Sequence, residues 1–383
     1  MLPSGWHRTT VGESASFLTG FAFASAEFES NGVRLLRGSN VKRAVVDWNP
    51  EITQHWPRSD SALRMYELKA GDIVIAMDGA LVGRSFARIS ERDLPAYLVQ
   101  RVARLRGNIV DQSLLYAWIT SSSFATHIDS LKTNSAIPHL SPHDIRGFAF
   151  ISPSSTDEQR SIAAAIDDIT DLIVSLERLI AKKRAMKQGM MQQLLTGKTR
   201  LPGFSAEWVD GRLADVLKVR HGRSQREVES PTGKYPILGT GGVIGWTDTP
   251  LYSRPSVLIG RKGTIDRPQY RDTPFWTVDT LFFTEVNPSA DPRFLYFVFT
   301  TVDWRSMNEA SGVPSLNSSR VESVEIRIPP LDEQRAIASV LRDCELEVEA
   351  LQEMHTQYIT VKQGMMQELL TGRTRLTPTE VPA

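Results

Sequence analysis

Residues 187–201 read KQGMMQQLLTGKTRL, and residues 362–376 read KQGMMQELLTGRTRL. The offset is 362 − 187 = 175, and it also carries Asp157-Glu158-Gln159-Arg160 onto Asp332-Glu333-Gln334-Arg335. Ile162-Ala163 fall in the same way on Ile337-Ala338. A DEQR start and an LLTG end thus bracket roughly 45 residues twice, without insertion, and self-similarity at a fixed period is the mark of a repeated structural unit. The chain is a duplication.

Composition bounds what is duplicated. With 383 residues there is material for two to four domains, and 41% hydrophobic against 23% charged residues argues for packed cores rather than disorder. The single cysteine, Cys344, leaves no disulfide framework and suits a reducing compartment. The start MLPSGWHRTT lacks the basic and apolar regions of a signal peptide, and no apolar run is long enough for a bilayer, so a cytoplasmic location without membrane contact is expected. Net charge is zero; residues 1–150 carry 16 Lys and Arg against 14 Asp and Glu, and residues 202–330 carry 15 against 15. Any nucleic-acid surface must therefore come from local clustering, not from overall charge.

Residues 1–153 mix short apolar runs with Gly and Pro punctuation. Gly71-Asp72 turns into a buried strand at Ile73–Met77, Ala96–Val99 and Val102–Leu105 form further strands, Leu114–Ile119 a short helix and Phe148–Ile151 a closing strand. This predicts a compact α+β domain.

Residues 154–201 change character. Ser154, Ser155, Thr156 and Asp157 offer capping oxygens, with Glu158 in the first turn of a helix. Ile162, Ile166, Ile169, Ile173, Leu176 and Ile180 then recur at steps of four and three, the seam of a coiled coil. Such a stripe also fits a helix packed on its own domain. The second copy keeps the phase through Ile337, Leu341, Cys344, Val348 and Leu351, so two long amphipathic helices become natural partners. Thr196-Gly197 and Pro202-Gly203 end the first helix.

Residues 202–329 form a second globular region that echoes the first. Ser256–Gly260 followed by Gly263 aligns with Asp72–Ala76 followed by Gly79, Ser311–Leu316 with Ser135–Leu140, and Glu325–Pro329 with Ala149–Pro153. The globular parts share a framework with little identity, whereas the helices are near copies at their ends. One common task therefore falls to the helices and two different tasks to the globular domains. The resulting division is 1–153, helix 154–201, 202–329, helix 330–376 and tail 377–383.

This order of parts resembles the specificity subunit of type I restriction–modification systems. The resemblance covers essentially the whole chain and rests on IPPLDEQRAIA (residues 328–338), the KQGMMQxLLTG pair, and GKYPILGTGGVIGW (residues 233–246), similar to a loop common in target-recognition domains. It implies two similar α+β target-recognition domains, related by a pseudo-two-fold repeat and joined by two long antiparallel coiled-coil helices. Each domain would read one half of a bipartite, asymmetric site in double-stranded DNA. The helices would set the spacer and dock two adenine-methyltransferase (modification) subunits, which bind the S-adenosylmethionine; restriction or motor subunits join further out. The chain itself would bind no cofactor and catalyse nothing.

Bases are read by polar and basic side chains at groove edges, Arg on guanine and Asn or Gln on adenine, while phosphate contacts only position. In the second domain the dense stretches are Lys218, Arg220, His221, Arg223, Gln225, Arg226, Lys234, Tyr235, Thr240, Gly241 and Gly242, joined by Arg261, Lys262, Asn308, Ser311 and Asn317. In the first they are Arg34, Arg37, Asn40, Lys42, Arg43, Arg84, Lys132, Asn134 and Ser135. Trp48, Trp56, Trp246 and Trp276 offer stacking surfaces, although packing is the commoner fate of a tryptophan. Met190, Met191, Leu194, Met365, Met366 and Leu369 offer a soft docking face for the methyltransferase.

No catalytic pattern emerges. Gly197-Lys198-Thr199 lacks the first glycine and preceding strand of a phosphate-binding loop, and Gly239–Gly245 is out of step with a dinucleotide fingerprint. There is no Cys/His spacing for zinc and no Asn-Pro-Pro-Tyr or Asp-Pro-Pro-Tyr stretch. The seven histidines show no nucleophile–base pairing. A coiled-coil scaffold without sequence-specific DNA binding is the alternative reading, discriminated by whether binding rises above the non-specific level.

Overall fold

The computed structural model describes residues 2–57, 60–79, 81–131 and 139–376. The apolar seam folds as expected. One helix runs Thr156–Leu194 and its repeat Leu331–Leu369, each of 39 residues, or about 58 Å at the α-helical rise. Ile162, Ile166, Ile169, Ile173, Leu176 and Ile180 are all buried, as are Ile337, Leu341 and Val348. Ser155 caps the first helix through the Glu158 amide (3.4 Å).

The chain divides into two compact units, one built from residues up to Ser175 together with the chain from His355 onward, the other from Leu176–Met354. Each therefore holds the start of one long helix and the end of the other.

In the first unit, an antiparallel four-stranded sheet orders Ala15–Thr19, Val102–Gly107, Ile73–Ala76 and Phe86–Arg88. A three-stranded sheet places Val33–Leu36 antiparallel to Gln54–Trp56 and parallel to Ala96–Leu98. Trp6–Thr10 pairs with Ala149–Pro153 as a separate ribbon. The second unit repeats this plan strand for strand. Leu217–His221, Leu281–Val286, Ser256–Gly260 and Gln269–Arg271 form the four-stranded sheet. Tyr235–Gly239 lies antiparallel to Gly242–Thr247 and parallel to Trp276–Thr277, and Val209–Arg212 pairs with Glu325–Ile328. The duplication thus extends over the first 60 residues, where sequence similarity is weak.

A short helix packs each long helix onto its sheet. Gln112–Ile119 is capped by Asp111, and Pro292–Thr301 by Asp291. The glutamine of DEQR ties the two together. Gln159 Oε1 accepts from the Asp111 amide (2.7 Å) while its Nε2 donates to Pro153 O (2.8 Å). Gln334 accepts from the Asp291 amide (2.8 Å) and donates to Pro329 O (2.8 Å).

The DEQR glutamate closes each unit. Sequence alone gives Glu158 only a first-turn dipole role; in the structure it is buried and accepts both arms of Arg375, with Nη2 at 2.8 Å. Glu333, with 0% exposure, takes Arg200 in the same way, Nη2 at 2.6 Å, and also accepts from Trp208 Nε1 (3.0 Å). The hydrogen bond to each carboxylate holds both guanidinium pKa values above their ordinary range. The pairing of each helix start with the chain just beyond the other helix's end makes the helices antiparallel within each unit. The LLTG glycine has a packing reason too. Gly197 (φ +69°) lies against Trp208 and Gly372 (φ +68°) against Pro3 and Trp6, a left-handed helix end with no room for a side chain in the second case.

Candidate nucleic-acid interface

In the second unit, one edge of the two sheets gathers five loops. The Leu217–His221 strand runs into Gly222, which has no space for a Cβ because Val278 O would lie 2.0 Å from it. The Arg223 amide donates to Thr277 O (2.8 Å), and Trp276 Nε1 donates to Arg223 O (2.9 Å). The Arg261 amide donates to Thr280 O (2.8 Å) and its side chain to Asp279 O (3.3 Å). The Gly263 amide donates to Pro314 O (2.8 Å), and Thr240 Oγ1 is 3.8 Å from where a Cβ on Gly263 would stand. Asn308 braces the fifth loop by bonding Ala310 and the Ser315 amide.

His221, Arg223, Thr240, Gly241, Gly242, Arg261, Lys262, Asn308 and Ser311 therefore belong to one loop cluster. Arg223, Lys262 and Ser311 are exposed. His221 packs edge-on against Phe282. Not all the other candidates join them. Lys218 stands opposite Glu285 at the far end of its strand, where Arg220 also bonds Glu285 (2.8 Å). Lys234 and Tyr235 lie at the distal end of the Tyr235–Thr247 hairpin. Arg226 is exposed in the loop between. Asn317, exposed, uses its side-chain oxygen to cap the Ser318–Glu322 helix. Asn308 is likewise committed within its own loop.

The first unit has the matching cluster. Gly20 meets Val99 as Gly222 meets Val278, Gly38 lies 3.2 Å (from its Cβ position) from Asp78 Oδ1, and Asp78 bridges His139. Arg37 sits here, half-buried. Asn40 does not reach solvent: it is 0% exposed, its amide donates to Asp47 O (2.9 Å) and its carbonyl accepts from the Arg37 amide (3.1 Å). The expectation that Asn40 reads DNA is therefore wrong; it fixes the Arg37 turn. Arg34 is held by Arg92 O and Leu94 O and covers Trp48, away from the cluster. Lys42 and Arg43 precede the strained turn at Ala44, and Arg84 forms a two-armed pair with Asp129. Lys132, Asn134 and Ser135 lie outside the described residues.

Sequence reasoning passed over Arg101, an exposed cation on this edge; its only signal was alignment with Thr280 through the repeat. Of the four tryptophans, Trp56 and Trp276 are buried, Trp48 is half-buried, and Trp246 is 45% exposed.

The docking residues are corrected in part. Leu194 and Leu369 are buried in their own units' cores, and Met190, Met191, Met365 and Met366 are half-buried against those cores. What the repeat does present is a groove beside each helix end. One, of about 860 Å³, is lined by Met191, Gln192, Leu195, Thr196 and Lys198; the other, of about 930 Å³, by Met366, Gln367, Leu370, Thr371 and Arg373. Among the described residues no three His, Cys, Asp or Glu side chains are grouped to hold a metal ion, and no helix is long and apolar enough to cross a membrane.

Two α+β units of one topology, each holding the start of one long helix and the end of the other, define the class: a duplicated α+β unit built on a helix pair. Residues 205–357 match the family described as type I restriction modification DNA specificity domain. It is 35% identical over 185 residues to the type I restriction enzyme EcoAI specificity subunit of Escherichia coli, covering 47% of this chain and 31% of that protein. It is 27% identical over 211 residues to the type I restriction enzyme MjaVIII specificity subunit of Methanocaldococcus jannaschii, covering 53% and 48%. The chain thus spans about a third of the one relative and about half of the other. The fold covers more. A type I restriction–modification S subunit from M. genitalium superposes with a TM-score of 0.69 at 15% identity, over 97% of this chain and 98% of that one. A chain from a structure of type I system assembly and conformational transition gives 0.55 at 17% identity, over 98% and 100%.

Proposed function

We propose that this chain is the DNA-reading subunit of a type I restriction–modification assembly, each unit reading one half of a bipartite site. The observation that carries this is the contrast between frame and edge. Sheet order, helix starts and closing ion pairs are the same in both units, whereas the loop cluster presents Arg37, Asp78 and Arg101 in one and Arg223, Lys262 and Ser311 in the other. A repeated frame with unlike edges suits two different half-sites. The paired grooves share a helix-end wall of the same residue types, a wall that suits two copies of one methyltransferase. S-adenosylmethionine and the adenine chemistry would belong to that partner, which must extrude its target base, and a motor–nuclease subunit would join the same assembly in the cytoplasm. The helices would fix the distance between half-sites.

The test is to express the chain with the methyltransferase encoded beside it and map methylated adenines across the host DNA. A two-part motif with unlike halves and a fixed spacer is expected. Four residues inserted before Leu194 lengthen that helix by about 6 Å, close to roughly two base pairs, and the spacer should grow accordingly. Methylation without a motif would favour a scaffold.

A further inference from the structure

Among the described residues only Ala44 and Arg101 hold a positive φ without being glycine, at 62° and 72°. A side chain in that region crowds the following carbonyl, so it costs free energy that glycine does not. Arg101 sits in the turn Val99-Gln100-Arg101-Val102, which passes from one sheet to the other. The turn is pinned on every side: the Val99 amide donates to Leu36 O (3.1 Å), Gln100 to Phe21 O (2.8 Å), Val102 to Val99 O (3.1 Å), and the Met77 amide to Arg101 O (2.9 Å). All of that is backbone. The side chains of Gln100 and Arg101 are exposed, and neither bonds another described residue. Glycine would serve this turn better, so the fold gives no reason for arginine. Strained residues without an internal role concentrate at functional sites.

The second unit has the same turn. In Val278-Asp279-Thr280-Leu281 the Val278 amide donates to Leu238 O (3.1 Å) and Leu281 to Val278 O (3.0 Å), matching Val99 and Val102. A side-chain-free glycine presses on each, Gly20 on Val99 and Gly222 on Val278. One scaffold position thus carries Gln100-Arg101 in one unit and Asp279-Thr280 in the other, within the loop cluster of each.

We propose that Arg101 is a base-reading residue of the first half-site, contacting guanine, and that this inter-sheet turn is a specificity position. The inference rests on the DNA-reading function above. A guanidinium presents two donors to guanine O6 and N7 in the major groove, a match worth about ten-fold or more in discrimination. The second unit carries Thr280 at the position of Arg101 and Asp279, which offers only acceptors, at that of Gln100, so the two units would choose different bases.

The test compares wild type, Arg101→Gly and Arg101→Lys, each assembled with the methyltransferase. Adenine methylation maps and binding to single-base variants of the recovered motif are read, with thermal unfolding alongside. Arg101→Gly should unfold at no lower temperature, yet lose about ten-fold or more of its discrimination at one base pair of one half-site, with the other half unchanged. Arg101→Lys should keep affinity and salt dependence but also relax that position, because an ammonium lacks the two-pronged geometry. An unchanged motif in Arg101→Gly overturns the proposal. So does uniform weakening across all sequences with a salt slope reduced by about one, the behaviour of a phosphate contact. If wild type itself yields no bipartite motif, the DNA-reading function fails, and this shows before any variant is made.

Discussion

Glu333 has no exposed surface, yet it carries a charge balanced by Arg200 and by the indole of Trp208. A buried ion is tolerated only while its partners remain, and removing one partner harms more than neutralising the ion itself. Arg200→Met leaves the carboxylate with one neutral donor, whereas Glu333→Gln leaves an amide that still accepts from Trp208 and frees a guanidinium that already reaches solvent. Arg200→Met should therefore lower the urea midpoint more than Glu333→Gln, and the double variant should recover part of the loss. The reverse order would mean that the pair acts through packing rather than charge. Among the described residues the first unit is built less completely: Trp6 Nε1 is buried without a partner, and Arg375 alone bonds the Glu158 carboxylate.

At the scale of the helices, the two copies of KQGMM place one lysine in two environments. Lys187 bonds Glu345 (2.7 Å) and lies 5.6 Å above the Phe297 ring. In the other copy the residue matching Glu345 is Thr170 by the 175-residue offset, and burial pushes the pKa of Lys362 below the usual 10.5, with Asp167 opposing. A lysine whose folded pKa is depressed destabilises the fold while charged, and stability returns as pH rises through that value towards 10.5. Lys362→Met should therefore raise the unfolding free energy at neutral pH, with the gain shrinking at alkaline pH, and Lys187→Met should lower it. Equal effects from both, in urea titrations across pH, would remove the distinction.

Much of this element was legible. The isoleucine seam gave the helices, and Ile73–Ala76, Val102–Leu105 and Leu114–Ile119 announced themselves by short apolar runs between turns. Strands such as Val33–Leu36 and Gln54–Trp56 did not, because they are half-exposed and carry Arg34, Gln54 and His55. The candidate site was harder still. Asn40, Asn308 and Asn317 look like base readers in a string of letters, but short polar side chains next to turns also satisfy their own backbone. Asn40 does so fully buried, whereas Asn308 and Asn317 do so at the surface, and residue type alone does not separate the two uses. Arg101 was missed for the opposite reason: nothing in a sequence shows a positive φ at an arginine.

For the molecule as a whole, the shared strand order predicts that recognition is modular. Exchanging residues 202–330 for the corresponding segment of a relative should change one half of the methylated motif and leave the other half and the spacer intact. The exchange carries Trp208 with it while Arg200 and Glu333 stay behind, so the donor segment must bring a tryptophan at that place. Changes in both halves would show that the units do not read separately.

The closing ion pairs also set an order of events during synthesis. Leu176–Met354 is one continuous stretch, and its clamp, Arg200 on Glu333, is complete before residue 355 is made. The other unit is interrupted. Its Glu158 leaves the ribosome early, but Arg375, which also bonds Ser4 O (2.9 Å), is translated more than two hundred residues later, at a separation of 217. Until then Trp6 lacks the Gly372 turn that lies against it, and the Glu158 carboxylate lacks its guanidinium. The unit encoded first is thus the last to close, and a nascent chain cut short before Arg375 is left with one finished unit and one open one.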